Sequence, residues 1–145
     1  MKNFWPGLIL LLTTVLLVQA ETLTVHATTD GPREGVIAIL VFKTKKGFPS
    51  QHEQAYRKAR IPVTEEGPIV CTITNLPYGE YSLSVLHDVN DNYKADKHLG
   101  FGPPKEPVGF SSIPQKLRKK PRFEDTLFTF SAEETEQSVY LFRIF

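Results

Sequence analysis

Cysteine and net charge are what this sequence has least of. Cys71 is the single cysteine among 145 residues, so no intrachain disulfide can form and core packing must stabilise the fold. Lysine and arginine number 17 against 16 aspartates and glutamates, which leaves a formal net charge of +1. A chain this close to neutral lacks the overall field that attracts nucleic acid or an anionic membrane. We therefore expect no nucleic-acid partner and a function that depends on local features.

Long hydrophobic runs are absent except at the N-terminus. Residues 8–18 are almost entirely apolar and lead into Val18-Gln19-Ala20, which has the small-x-small pattern of a cleavage site. The run is too short to cross a bilayer, which takes roughly 20 helical residues. We predict that residues 1–20 are a cleaved signal peptide and that residues 21–145 form a single β-sandwich domain. That domain is expected to be periplasmic or secreted, with no stable membrane anchor after cleavage.

Short strands account for most of the remaining chain. Residues 22–29 alternate apolar and polar side chains, and residues 36–42 form a continuous apolar run rich in β-branched side chains. Further strands are predicted at 68–75, 80–87, 126–131 and 137–144, whereas 56–63 is ambiguous. These strands predict an all-β fold, an antiparallel β-sandwich of about seven strands that is immunoglobulin-like or transthyretin-like.

Two local patterns add detail to this fold. Ser50-Gln51-His52-Glu53 has the form of a capping box, which predicts a short helix or helical turn. Cys71 is in phase with Ile69 and Ile73 on one face of a strand. We therefore expect Cys71 to be a small buried side chain and not a nucleophile.

The segment 88–125 is rich in glycine and proline and has no sustained apolar period. A connection this long in a small domain is usually functional or disordered. Its aromatic residues indicate that it packs on the sandwich.

The start of this long loop has the oxygen spacing of a calcium site. The predicted ligands are Asp88, Asn90, Asn92, Lys94 through its carbonyl, and Asp96. The pattern departs from a calcium loop at Tyr93, where a glycine is usual, and at Leu99, where a glutamate closes the shell. The alternative is a solvated turn in which Asp and Asn side chains bond to their own backbone.

Catalysis and carbohydrate binding are the alternative functions. A small hydrolase or lyase acting on envelope polymer would use His87 with Asp88 or Glu106, but no His-Glu-x-x-His motif or nucleophile elbow accompanies them. A carbohydrate-binding module would need exposed aromatic side chains. The candidates are Tyr93, Phe101 and Phe110.

A basic run lies late in the same loop. It consists of Lys116, Arg118, Lys119, Lys120 and Arg122. Pro114 and Pro121, which interleave with this run, favour a solvated loop. Binding to phosphates of an envelope polymer is the alternative.

Five motifs occur in an order that resembles a known family. They are Gly47-Phe48-Pro49, Leu76-Pro77-Tyr78-Gly79-Glu80-Tyr81, His87-Asp88-Val89-Asn90-Asp91-Asn92 with Asp96, Gly109-Phe110-Ser111 and Phe123-Glu124-Asp125. In this order they resemble the bacterial exported family catalogued as domain of unknown function 2141. The resemblance implies a periplasmic or secreted β-sandwich with no assigned enzymatic activity.

We therefore expect a non-enzymatic, exported binding or envelope-associated module. Its site is expected in the 88–96 loop, with calcium as the candidate cofactor and with an envelope component or a carbohydrate as the candidate partner.

Overall fold

Every long element of the described chain is a β-strand. The structure is a computed structural model and describes residues 20–114 and 116–144. Its strands are β1 (Ala20–Thr29), β2 (Val36–Phe42), β3 (Arg57–Pro62), β4 (Ile69–Pro77), β5 (Gly79–Asp88), β6 (Val108–Phe110), β7 (Leu127–Phe130) and β8 (Glu136–Leu141). The helical residues in these ranges belong to short 3₁₀ turns at His52–Gln54, His98–Gly100 and Phe123–Thr126. The predicted all-β class is confirmed.

No helix within residues 20–114 and 116–144 has the length and apolar character needed to cross a membrane. The predicted signal peptide lies almost wholly outside the described residues.

The strands form two sheets. One sheet has three strands in the order β4-β1-β8, and the other has five, in the order β3-β2-β5-β6 with β7 also paired to β5. The β1–β8 pair is parallel, whereas the other pairs of named strands are antiparallel. The predicted sandwich is therefore confirmed, with one parallel pair that the sequence pattern does not indicate.

The core lies between the two sheets and follows the predicted alternation. Leu23 and Val25 of β1 and Leu83 and Val85 of β5 belong to this core, and all four residues are fully buried. Cys71 belongs to the same core and is a free, buried thiol. The prediction that it packs as a small hydrophobe is confirmed, and burial raises the pKa of this thiol above its usual value.

Strand β2 is buried on both faces, which explains its continuous apolar run. Ile37 and Ile39 belong to the core between the sheets. Ala38 and Leu40 alternate with them and are also buried, on the outer face of the five-stranded sheet. A strand covered on both sides carries apolar residues at every position instead of every second one.

The predicted helical turn is confirmed as the 3₁₀ turn His52–Gln54, but Ser50 does not cap it. The backbone amides of Ser50 and Gln51 both donate to the carbonyl of Gly47, which places Ser50 inside the preceding turn. The 3₁₀ turn begins at His52, and Gln51 precedes it without a side-chain capping hydrogen bond. The ambiguous residues that follow form strand β3.

The long segment 88–125 packs on the sandwich, as its aromatic content predicts. It contributes β6, whose residues pair with β5 in the register Ser84↔Phe110 and Leu86↔Val108. Gly109 is required within this strand, because a Cβ atom there would lie 2.4 Å from the carbonyl oxygen of Tyr140. Three residues are too few to show a strand period, so the sequence pattern does not reveal β6.

Candidate functional site

The loop that follows β5 is organised around Asp88, whose side chain is fully buried. Its Oδ1 accepts a hydrogen bond from the amide of Asn92 at 3.0 Å, and its Oδ2 accepts one from the amide of Tyr93 at 2.9 Å. The same Oδ2 contacts Nη2 of Arg60 at 3.0 Å. The carboxylate therefore folds the loop back on itself and is neutralised by an arginine.

Arg60 reaches this loop from β3. Its guanidinium also pairs with the carboxylate of Asp91 and lies 3.9 Å from the ring centroid of Tyr93. Partial burial lowers the pKa of Arg60, but its hydrogen bonds to Asp88 and Asp91 and the charges of both carboxylates together outweigh this effect and raise the pKa above its usual value. Sequence reasoning missed Arg60, because only the register of β3 on β2, Ala38↔Arg60, brings it beside the loop.

Asp96 closes the other half of the loop. Asn90 Nδ2 donates to Asp96 Oδ2 at 2.7 Å, and Asn92 Nδ2 donates to Asp96 Oδ1 at 3.0 Å. The hydrogen bond from Asn92, followed by that from Asn90, lowers the pKa of Asp96 below its usual 3.8. The Oδ1 of Asn92 accepts a hydrogen bond from the amide of Lys94 at 2.9 Å.

Glu106 joins the two ends of this loop from outside it. Its Oε1 accepts a hydrogen bond from the amide of Val89 at 2.9 Å, and its Oε2 accepts one from the amide of Asp96 at 3.1 Å. Glu106 is buried, and the amide of Lys105 beside it donates to the carbonyl of Asp96 at 2.7 Å. We call the Glu106 carboxylate, together with the amides of Val89 and Asp96 that it binds, the loop clamp.

The predicted calcium ligands thus lie in one loop, but their hydrogen bonds run to two separate centres. The Asp88 carboxylate faces backbone amides and Arg60, whereas the Asp96 carboxylate faces the two asparagine amides. Within residues 20–114 and 116–144, no group of three or more His, Cys, Asp or Glu is placed to hold a metal ion. Tyr93 takes a positive φ of 66°, the left-handed backbone that glycine more commonly supplies. Calcium binding stays a prediction.

His87 is fully buried and held by groups other than the predicted catalytic partners. Its Nδ1 lies 3.0 Å from Oγ1 of Thr29, and its Nε2 lies 2.7 Å from the carbonyl oxygen of Glu34. Among the described contacts, His87 makes no hydrogen bond to the carboxylate of Asp88 or Glu106. The structure therefore does not assemble the histidine–carboxylate pair that a hydrolase or lyase would use.

The three aromatic residues named for carbohydrate binding do not share one environment. Tyr93 and Phe101 are 63% and 70% exposed, whereas Phe110 is 5% exposed. Phe110 instead packs 5.9 Å from Phe48, which also contacts Phe42 and Phe123 at 5.6 and 5.7 Å between ring centroids. Three segments that carry the family resemblance thus meet at this aromatic cluster on the outer side of the five-stranded sheet.

Beside this cluster lies a pocket of about 620 Å³, which we call the outer pocket. Its floor is made of two rows of side chains that cross β2, β5 and β6. The first row is Ala38, Leu86 and Val108, and the second is Leu40, Ser84 and Phe110. Its walls come from the β2–β3 connection, the long segment and the C-terminal end of the described chain. Wall residues are Pro49, Ala95, Pro103, Pro104, Pro121 and Ile144. The sequence pattern does not reveal this pocket, since it forms only when the loop covers the sheet.

The polar side of the outer pocket is basic. Four cationic residues line it, and none of the lining residues that the structure describes is an aspartate or a glutamate. The four are Lys97, Arg118, Lys119 and Lys120, and all are exposed. Most of the predicted basic run is therefore solvated, as expected, and part of it also forms one side of a pocket.

Comparison with known proteins gives one match. The family model described as "Uncharacterized protein conserved in bacteria (DUF2141)" matches residues 25–138. The chain belongs to this family. The match extends from β1 into β8, so the DUF2141 region includes both sheets, the loop clamp and the basic side of the outer pocket. No curated protein and no solved structure matches the chain.

Proposed function

We propose that this DUF2141 protein is a non-enzymatic, exported binding module that takes a small apolar ligand into the outer pocket. The single observation that carries the proposal is an apolar, largely pre-formed pocket between a rigid sheet and a covering loop. Its volume of about 620 Å³ lies within the range of roughly 300–1,000 Å³ that is usual for small-molecule sites. Export rests on the predicted signal peptide.

The floor of the pocket supports binding because it is both apolar and rigid. Leu40, Val108 and Phe110 are side chains of hydrogen-bonded strands, and each is less than a tenth exposed. Side chains on paired strands hold a binding surface with little loss of conformational entropy when a ligand arrives. A small apolar molecule would replace the water that otherwise lies against this surface.

The loop clamp supports the same function by fixing one wall. Ala95 and Lys97 line the pocket on either side of Asp96, whose amide is bound to Glu106. A wall held by charged hydrogen bonds keeps the pocket open without a ligand. This arrangement favours binding over catalysis, since the buried carboxylates of Asp88 and Glu106 are used on backbone amides.

Binding of a neutral fluorescent probe, N-phenylnaphthylamine, tests the proposal. Its fluorescence should rise with the purified protein and saturate at one site. Ser84→Phe places a ring on the pocket floor and should abolish the rise, while Thr24→Phe on the other sheet should leave it unchanged. Equal binding by both variants, or no saturable binding by the unmodified protein, would contradict the proposal.

Calcium in the 88–96 loop is a separate prediction with its own test. An ion there would have to displace Arg60 or the backbone amides from Asp88, so binding would rearrange the loop. Calorimetric heat and a higher melting temperature with millimolar calcium would support the site. If calcium produces neither heat nor a higher melting temperature, in the unmodified protein and in Asp96→Asn alike, the loop is not a calcium site.

A further inference from the structure

We infer that the ligand of the outer pocket is an amphiphilic anion, an alkyl chain that carries a negatively charged headgroup. This inference rests on the proposed function and assigns the chemical class of its ligand. It has two parts, an apolar chain on the strand floor and an anionic headgroup on the basic side.

The alkyl part follows from the floor and walls. The two floor rows contain one hydroxyl, that of Ser84, and the remaining side chains are aliphatic or aromatic. Three of the wall residues are prolines, Pro103, Pro104 and Pro121, and proline has no backbone amide to donate. A sugar needs many hydrogen-bond partners, and each unpaired polar group buried here costs free energy. An alkyl chain needs none.

The anionic part follows from the charge distribution. Lys97 and the basic segment 118–120 line the pocket from its exposed side, whereas the apolar floor is buried. Within residues 20–114 and 116–144, these four cations form no ion pair with a carboxylate within 4.0 Å. A headgroup at the pocket mouth would therefore meet positive charge that the folded chain leaves uncompensated.

One acidic residue that interacts with the basic segment is already paired with another cation. This residue is Asp125, which is affected by the charge of Lys119. Its pKa is lowered mainly by a hydrogen bond from Arg122 and, to a smaller extent, by the charge of Lys119. Because Arg122 already pairs with Asp125 at 2.7 Å, Lys119 remains available to a ligand.

Three probes with the same alkyl chain separate the two parts of the inference. Calorimetric titrations of the purified protein with decanoate, decanol and decyltrimethylammonium compare a negative, a neutral and a positive headgroup. Decanoate should bind about tenfold more tightly than decanol, the factor expected when a hydrogen bond to a charged group is gained. The cationic probe should bind more weakly than either.

Salt and a charge-removing variant identify the source of the preference. The advantage of decanoate should shrink between about 0.01 M and about 0.15 M salt, as the screening length falls from about 30 Å to about 8 Å. The variant Lys97→Gln, Lys119→Gln, Lys120→Gln should bind decanoate as weakly as decanol. The matched control is Arg33→Gln, Lys45→Gln, Lys46→Gln, which neutralises charged residues that do not line the pocket. This control should keep the preference for decanoate over decanol.

The outcomes distinguish the inference from the function on which it rests. Equal affinity for decanoate and decanol, both lost in Ser84→Phe, would overturn the anionic class and leave the binding pocket intact. No binding of any probe would overturn both. If the control variant loses the preference for decanoate as fully as the variant without the pocket lysines, the preference is a non-specific charge effect. That result would also overturn the inference.

Discussion

Removal of the Glu106 carboxylate should destabilise the protein and open the wall of the outer pocket. Glu106→Ala would leave the amides of Val89 and Asp96 without their acceptors, which lie at 2.9 and 3.1 Å in the native loop. A hydrogen bond to a charged group contributes roughly 1.5–3 kcal/mol, and the lower end applies because both bonds are only partly buried. The expected loss in free energy of unfolding is therefore about 3 kcal/mol.

Glu106→Gln separates the charge from the shape of this side chain. One amide oxygen can still accept a hydrogen bond, but the NH₂ group would face a backbone N–H and cannot accept one. The expected loss is about 1.5 kcal/mol, half of that for the alanine variant. Glu65→Gln is the matched control, because Glu65 is exposed and makes no hydrogen bond within the part of the chain that the structure describes. It should change stability by no more than about 0.5 kcal/mol.

The assay is urea unfolding followed by circular dichroism, combined with amide hydrogen exchange. The exchange of Val89 and Asp96 should accelerate in Glu106→Ala, while exchange in β1 should change only as much as global stability does. N-phenylnaphthylamine should also bind more weakly, since Ala95 and Lys97 are no longer held. The loop clamp would be refuted if Glu106→Ala and Glu65→Gln had equal free energies of unfolding and if exchange at the amides of Val89 and Asp96 were unchanged.

Four further predictions test other contacts. Arg60→Met should cost about 2 kcal/mol in urea unfolding, because it leaves the buried Asp88 carboxylate without its cation; no loss would mean that the backbone amides suffice. The pKa of Asp96 is lowered on folding, so its contribution to stability is present at higher pH and is lost as pH falls through that lowered pKa. Asn92→Ala should raise this pKa toward 3.8, which an NMR titration would show. An unchanged pKa would contradict the role given to the hydrogen bond from Asn92. Gly109→Ala should cost about 2 kcal/mol through its clash with the Tyr140 carbonyl, and wild-type stability would show that β6 can shift freely. Cys71 should react with iodoacetamide only after unfolding, since the thiol is buried and its pKa is raised; rapid native alkylation would contradict that burial.

The fold follows from the sequence where side-chain periodicity is strong. Strand β2 is predicted with its observed bounds, and its seven consecutive apolar residues fit a strand that is buried on both faces. The alternation around Leu83 and Cys71 likewise predicts which side chains enter the core. The parallel pairing of β1 with β8 leaves no such pattern, since a strand has the same period whichever neighbour it pairs with.

The candidate site follows from the sequence only in part. Short-range spacing places Asp88 and Asp96 in one loop, but it does not show that their carboxylates have different partners. It does not reveal Arg60 or the clamping role of Glu106, since these contacts depend on sheet register and on the return of the long segment. The outer pocket is still less predictable, because its floor and its basic side come together only through tertiary packing.

The most direct test of a binding function in the outer pocket is amide chemical-shift mapping with N-phenylnaphthylamine. Saturable shifts are expected in β2, β5 and β6, at Leu40, Leu86 and Phe110, with the three-stranded sheet unaffected. Shifts confined to β4, β1 and β8, or no saturable shift at any amide, would contradict this function.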